Sequence, residues 1–212
     1  MDELIVIRHG EAEHMVQGLT GGWTDTPLTQ LGRQQARLTG NYLAAIARGR
    51  AVGLYASDLV RAAETARIIG ECIGVEPVFA PELRELNNGK AAGLTLEQAA
   101  AIVNPVTQPL VDWAPFPEAE TWRQMSERVE SFLENIERPG PEAAIVVAHG
   151  GSGNAAICWW LGLRIGDHNI SFELDPCSVS RLNTTRYGER NVVKINDTSH
   201  LAGAVASAKR SS

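Results

Sequence analysis

Two histidines in this chain of 212 residues stand in the same local setting. His9 follows Arg8 and precedes Gly10, at the end of the apolar run Leu4 to Ile7. His149 precedes Gly150, at the end of a second apolar run, Ala143 to Ala148. A lone histidine is more often structural than functional, but this repetition points to function. An uninterrupted apolar run marks a strand buried on both faces, and a glycine just beyond it lets the backbone turn sharply and a ligand come close. If the two strands are neighbours, both imidazoles face one crevice. Arg8 stands beside the first, and Arg61 falls one turn into a helix on the same rim. Two histidines and two arginines around one cavity suit a tetrahedral dianion, because guanidinium offers forked donors and keeps its charge at any working pH.

The elements that carry these residues follow from periodicity and punctuation. Thr29 reads as the N-cap of a helix reaching Arg48, with Leu31, Ala36, Leu38, Leu43 and Ile46 as its apolar positions. Val52 to Ala56 is a strand ending in Ser57-Asp58, followed by a helix from Leu59 to Ile73 and a short strand from Val75 to Phe79. Pro81 to Leu94 is irregular, broken by Gly89 and Gly93. Leu94 to Val103 is a weak helix, and a proline-rich loop runs on to Glu118. Thr121 to Glu137 is amphipathic, and Ser152 to Leu161 is a further helix. Three strands close the chain, over 169–174, 179–184 and 191–195. Alternating strands and helices predict the α/β class: a three-layer α/β/α sandwich with a mostly parallel central sheet and a small cap from Pro81 to Pro117. Sites in such sheets form beyond the carboxyl ends of the strands. Three strands here end in residues capable of chemistry, Arg8-His9, Ser57 and His149. A single domain over 1–201 is expected, with 202–212 a small, polar, flexible tail.

Composition bounds the partners. The net charge of −6 excludes a surface built for nucleic acid or an anionic membrane, but not one local cationic pocket. Sixteen Arg against three Lys is a compositional bias that promotes no single arginine. Cys72, Cys158 and Cys177 are odd in number and scattered, without metal-ligand spacing, so neither a zinc site nor a disulfide framework is expected. No apolar run reaches the ~18 residues of a membrane span, and Met1-Asp2-Glu3 does not read as a signal peptide. A cytoplasmic location is the expectation.

These residues resemble the histidine phosphatase superfamily, the phosphoglycerate mutase-like proteins. The resemblance rests on Arg8-His9-Gly10-Glu11, Asp25-Thr26-Pro27-Leu28-Thr29-Gln30-Leu31-Gly32 with Gln35-Ala36, and Ser57-Asp58-Leu59 with Arg61-Ala62 and Thr65-Ala66. It continues through Glu85 with Gly89 and Gly93, Glu120 with Arg128, Val147-Ala148-His149-Gly150-Gly151, and Asn196-Asp197-Thr198-Ser199-His200-Leu201. It spans nearly the whole chain. What it implies is a phosphomonoesterase with His9 as nucleophile, forming a phosphohistidine. Arg8, Arg61 and His149 would hold the phosphoryl oxygens, and Glu85 would serve as proton donor and acceptor. The chemistry is consistent: an imidazole is substantially neutral at pH 7, a carbonyl on its other nitrogen would set the tautomer, and cationic side chains could neutralise the phosphoryl charge without metal or cofactor. A raised carboxyl pKa is needed at Glu85, which nearby phosphate charge would provide.

Departures from the family pattern choose among its activities. Members commonly carry Asn six residues after the nucleophile as a phosphate ligand; here that position is Met15, which cannot donate. His14 or Gln17 would have to substitute, the alternative for His14 being an idle ring in a mobile loop. Aligning on Trp23 puts Gly21 where mutases place a carboxylate-binding threonine, and Asn88 where they place a tyrosine. With Gly150, these are the expected substrate-side positions. No Lys or Arg occurs between Leu94 and Pro117, where mutases carry a basic pair. A phosphatase for a small phosphorylated metabolite is therefore favoured over a phosphoglycerate mutase, and the apolar segment Val103 to Pro117 is expected to cover an uncharged or partly apolar leaving group. Monomer and homodimer stay open.

Two rivals come from other classes. Gly151-Ser152-Gly153-Asn154-Ala155-Ala156, with Glu173 beyond, fits the GxGxxA pattern of a dinucleotide loop, but it leaves Arg8, His9 and Arg61 unexplained. Ser152 lacks the final glycine of a nucleophile elbow. A non-catalytic phosphate-binding or regulatory relative has only Met15 in its favour.

Overall fold

The computed structural model describes residues 1–202. The expected tail from 203 onward lies outside the described residues. The chain order is β1 (Glu3–Arg8), α1 (Glu13–Val16), α2 (Gln30–Ala47), β2 (Val52–Ala56), α3 (Val60–Ile73), β3 (Val78–Phe79), α4 (Leu96–Ala100), α5 (Trp122–Glu137), β4 (Ala143–Ala148), α6 (Gly150–Trp160), β5 (Val179–Thr184) and β6 (Arg190–Asp197). The six strands form one sheet in the order β3-β2-β4-β1-β5-β6. The first four of these are parallel, while β5 pairs antiparallel with β1 and β6 antiparallel with β5.

Alternation along the buried strands builds two cores. Leu4, Val6, Ala144 and Val146 face Val129, Leu133, Ile157 and Trp160 of α5 and α6. Ile5, Ile7, Ile145 and Val147 face Leu43, Ala62, Ala66 and Ile69 of α2 and α3. The three-layer sandwich is thus the predicted one. β1 feeds α2 on one face and its neighbour β4 feeds α6 on the other, so a crevice opens between the carboxyl ends of these two strands. Register then sets the site: Arg8 pairs with Ala148, so His9 and His149 leave the sheet at the same level.

Three predicted elements differ, and one element is new. The 169–174 segment is not a strand. β5 takes the place beside β1, and carbonyls of the segment are satisfied by side chains instead: Arg8 donates to Leu174 O (2.6 Å) and Asn154 to Phe172 O. β3 keeps only two residues, since Pro77 lacks the N–H a ladder needs. The weak helix contracts to α4, closed by a Thr95–Gln98 capping box. α1, which carries His14, was not anticipated. Pro81 to Pro117 holds α4 and three 3₁₀ turns along one side of the crevice. Among the described residues, no helix is long and apolar enough to cross a membrane.

Candidate active site

The loop after β1 is locked before any ligand arrives. A Cβ on Gly10 would meet Gly32 O at 2.6 Å, and one on Gly32 would meet Glu11 O at 2.0 Å, so both motifs need glycine for this close backbone approach. Thr29 caps α2 by accepting from Gly32 N (3.0 Å) and donates to Glu11 Oε1 (2.6 Å). Gly10 N donates to Thr65 Oγ1 (3.1 Å), which itself donates to Arg61 O (2.7 Å). The spaced motif residues are therefore one hydrogen-bonded frame around His9.

His9, His149 and Arg61 are all almost completely buried. The two imidazole centroids are 5.0 Å apart. His9 Nδ1 donates to Gly10 O (2.7 Å), which leaves the Nε2 lone pair free to accept from Arg61 Nε (3.1 Å). Arg61 places two further donors on Thr24 O (2.8 Å) and Gly22 O (2.7 Å), so its fork is rigid while one N–H on each terminal nitrogen is left for a ligand. His149 Nε2 shares a hydrogen bond with the Ser57 hydroxyl (2.9 Å), and its backbone N donates to Ser152 Oγ (3.2 Å). Arg8 Nε is buried without a partner, a donor held ready for a ligand. Burial and the Arg61 charge hold both His9 and His149 well below the ordinary imidazole pKa, so both are neutral at pH 7. Burial also lowers Arg61, to about 10, and the guanidinium keeps its charge.

Glu85 is brought to the same crevice by its backbone. Its carbonyl accepts from Trp23 Nε1 (2.8 Å) and Arg128 (2.8 Å), and Arg128 also donates to Arg84 O (2.7 Å). Glu120 pairs with Arg128 and accepts from Asn87 N (2.8 Å). The Glu85 carboxylate accepts from Leu86 N (2.8 Å) and from Gly151 N (2.8 Å), the latter in the first turn of α6 beside His149. A Cβ on Gly151 would meet Glu85 Oε1 at 2.4 Å, so a side chain there would displace the carboxylate from this position.

The substrate-side positions divide. His14 is buried on α1, its ring 6.1 Å from that of His9. Its Nδ1 meets Thr26 Oγ1 (3.0 Å), a hydroxyl that also accepts from His14 N (3.3 Å). Burial and the Arg61 charge lower the His14 pKa to about 4. Met15 and Gln17 are exposed, and Gln17 reaches only Glu13 (3.3 Å). Gly21 lies beside His14 Nε2, and Gly150 beside Glu85. Asn88 is buried and fully engaged, accepting from Trp23 N (2.9 Å) and donating to Gly21 O (3.1 Å). It clamps the 20–23 loop. The motif match drew attention to Glu120 and Arg128 without a role, Trp23 served there only to align the substrate-side loop, and nothing in the sequence marks His168 as a neighbour of the site.

The dinucleotide reading fails on geometry. Gly151 to Ala156 lies inside α6, which begins at Gly150, so no glycine loop exists to cradle a pyrophosphate. Ser152 is fully buried as an acceptor for His149 N, out of reach as a nucleophile.

A buried, cationic crevice at the strand ends of an α/β/α sandwich defines a phosphate-handling enzyme. The chain belongs to the histidine phosphatase superfamily (branch 1), whose model matches residues 4–198, and is a phosphatase of that type. A curated protein of Hydrogenobacter thermophilus, provisionally named phosphoserine phosphatase 2, is 28% identical over 207 residues, covering 94% of this chain and 98% of its own. The probable phosphoglycerate mutase GpmB of Erwinia tasmaniensis is 30% identical over 189 residues, 86% of this chain and 85% of its own. Mycobacterial glucosyl-3-phosphoglycerate phosphatase, solved with VO3, superposes with a TM-score of 0.78 at 24% identity, covering 93% of this chain and 100% of that one.

Proposed function

We propose that the protein hydrolyses a small phosphomonoester through a phosphohistidine at His9. The observation that carries this is the His9 ring itself: a buried neutral imidazole, its Nδ1–H fixed on Gly10 O and its Nε2 lone pair facing Arg61. That lone pair attacks phosphorus as the ester P–O bond breaks. The leaving oxygen takes a proton from Glu85, and the positive charge forming on the ring is stabilised by the Gly10 carbonyl. Water then attacks the phosphohistidine, Glu85 takes its proton, and the P–N bond electrons return to Nε2.

Arg61, Arg8, His149 and His14 take the phosphoryl oxygens. With Nδ1 accepting from the Thr26 hydroxyl, His14 Nε2–H would replace the donor absent at Met15, through a ring one residue earlier in the chain. Because these side chains supply the charge neutralisation, no metal is required. The mutase alternative lacks support in the segment Leu94 to Pro117, which offers no cation for a substrate carboxylate. The non-catalytic alternative has to set aside an intact nucleophile and acid.

Turnover of 4-nitrophenyl phosphate in EDTA tests the reading. Sustained turnover in the wild type, absent in His9→Ala, is expected; loss on chelation, or activity surviving in His9→Ala, contradicts it. Vanadate, a mimic of the trigonal bipyramid, is expected to compete. Glu85→Gln should slow alkyl phosphates far more than nitrophenyl phosphate, whose leaving group needs little protonation; equal slowing removes Glu85 from the acid role.

A further inference from the structure

Next to the phosphate crevice lies a cavity of about 830 Å³, within the range that takes a whole small-molecule ligand. It meets the crevice at Arg8, Gly150 and Gly151 and is bounded by α5, α6 and the segment Leu163 to Leu174. Its walls are mainly apolar, from Leu110, Trp122, Met125, Leu163, Ile165 and Phe172. Only Leu110 and Val111 come from the segment expected to cover a leaving group; Val103 and Val106 are exposed and line nothing here.

The charged residues of this cavity oppose those of the crevice. Arg8, already turned to phosphate, is its only lining Lys or Arg among the described residues, while Glu130 and Glu173 both line it. Burial and the neighbouring Glu134 and Glu127 push the Glu130 carboxyl up, against a smaller opposing effect of Arg164. The region is thus short of positive charge. A carboxylate or second phosphate placed here would meet like charge in a partly desolvated space, and an ammonium would relieve it. His168 adds one polar contact. Its Nδ1 accepts from Ile170 N (3.2 Å), so Nε2 carries the hydrogen, and that atom is buried with no partner.

We infer that this cavity is the leaving-group subsite, and that it selects phosphate monoesters of largely apolar alcohols whose further charge, where present, is positive. The inference rests on the phosphatase reading and specifies its substrate class. It follows from continuity: an ester whose phosphorus sits between His9 and Arg8 has Gly150, Gly151 and this cavity as the adjoining apolar space.

Four esters test it: methyl phosphate, n-hexyl phosphate, 6-aminohexyl phosphate and the phosphate ester of 6-hydroxyhexanoate. For the wild type, kcat/KM for the hexyl ester is expected to exceed that for the methyl ester by on the order of 100-fold, from burial of the added methylenes. The amino ester should match or exceed the hexyl ester, and the carboxylate ester should fall at least about 10-fold below it. Glu130→Lys should move the carboxylate-to-amine ratio up by about 10-fold or more. A hexyl ester no better than methyl, or a carboxylate ester equal to the amino ester, overturns the inference. The wild-type series decides the matter even if Glu130→Lys does not fold. If 4-nitrophenyl phosphate is hydrolysed while the series is flat, the subsite alone is wrong; if no ester is hydrolysed, the phosphatase reading falls and takes the subsite with it.

Discussion

In the phosphate crevice each group is held by a short bond to the frame: Arg61 by two carbonyls and His9, His9 by Gly10, His149 by Ser57. In the adjoining cavity, apolar walls surround carboxylates with little opposing charge and a histidine nitrogen without a partner. Both meet Arg8. The difference separates two tasks. A phosphoryl group is the same in every substrate, so its cradle can be rigid, buried and cationic, with the reorganisation cost met during folding. The leaving alcohol varies between substrates, and its subsite is made from helix faces and an irregular segment that can change without disturbing the nucleophile.

His9→Ala is the severest way to break the crevice half of this contrast. Loss of on the order of 10⁴-fold or more in kcat is expected, for the apolar and methyl esters alike. A loss confined to one class of ester contradicts the division of tasks. Arg61→Lys keeps a charge but not the fork. It should cost on the order of 10²- to 10³-fold in kcat/KM, and about 1–3 kcal/mol of stability by urea denaturation, because Gly22 O or Thr24 O loses its donor. An unchanged denaturation midpoint shows that the frame does not depend on Arg61.

Acid probes the crevice as a unit. His9, His14 and His149 have native pKa values below the unfolded value of about 6.5. Unfolding therefore takes up protons, and stability falls as pH drops below about 6.5, by about 1.4 kcal/mol per pH unit for each histidine neutral in the native state. His14→Gln should reduce that slope by about one proton between pH ~5.5 and ~4.5. An identical slope in the variant places His14 in solvent. Saturating inorganic phosphate should raise the midpoint in the wild type, since it binds only the native crevice. The mildest break is in the cavity: Phe172→Ala should narrow the hexyl-to-methyl ratio by about 10-fold. An unaltered ratio places the hexyl chain elsewhere.

The crevice was legible in the sequence because its parts are residue types fixed to strand ends. Arg8-His9-Gly10 and His149-Gly150 follow apolar runs, and parallel register then brings them level. The helices 30–47, 60–73 and 122–137 follow from periodicity, with Thr29 as a hydroxyl at the right offset to cap the first. The cavity was not legible. Within its segment 163–174, residues 169–174 alternate enough to resemble a strand, yet the Phe172 and Leu174 carbonyls are taken by Asn154 and Arg8, which are distant in sequence. His14 was ambiguous for a related reason: nothing local shows that Thr26 would draw its ring inward and leave Met15 outside. Asn88 matched a substrate-side position by spacing, and only tertiary contacts reveal that its amide is committed to the 20–23 loop.

The central claim is the covalent role of His9. Rapid mixing with a ³²P-labelled ester, followed by a denaturing quench during turnover, should trap one acid-labile, base-stable phosphoryl group, and peptide mapping should locate it on His9. Label on another residue, or steady turnover with no trapped label under conditions where the second step is slowed, contradicts the mechanism.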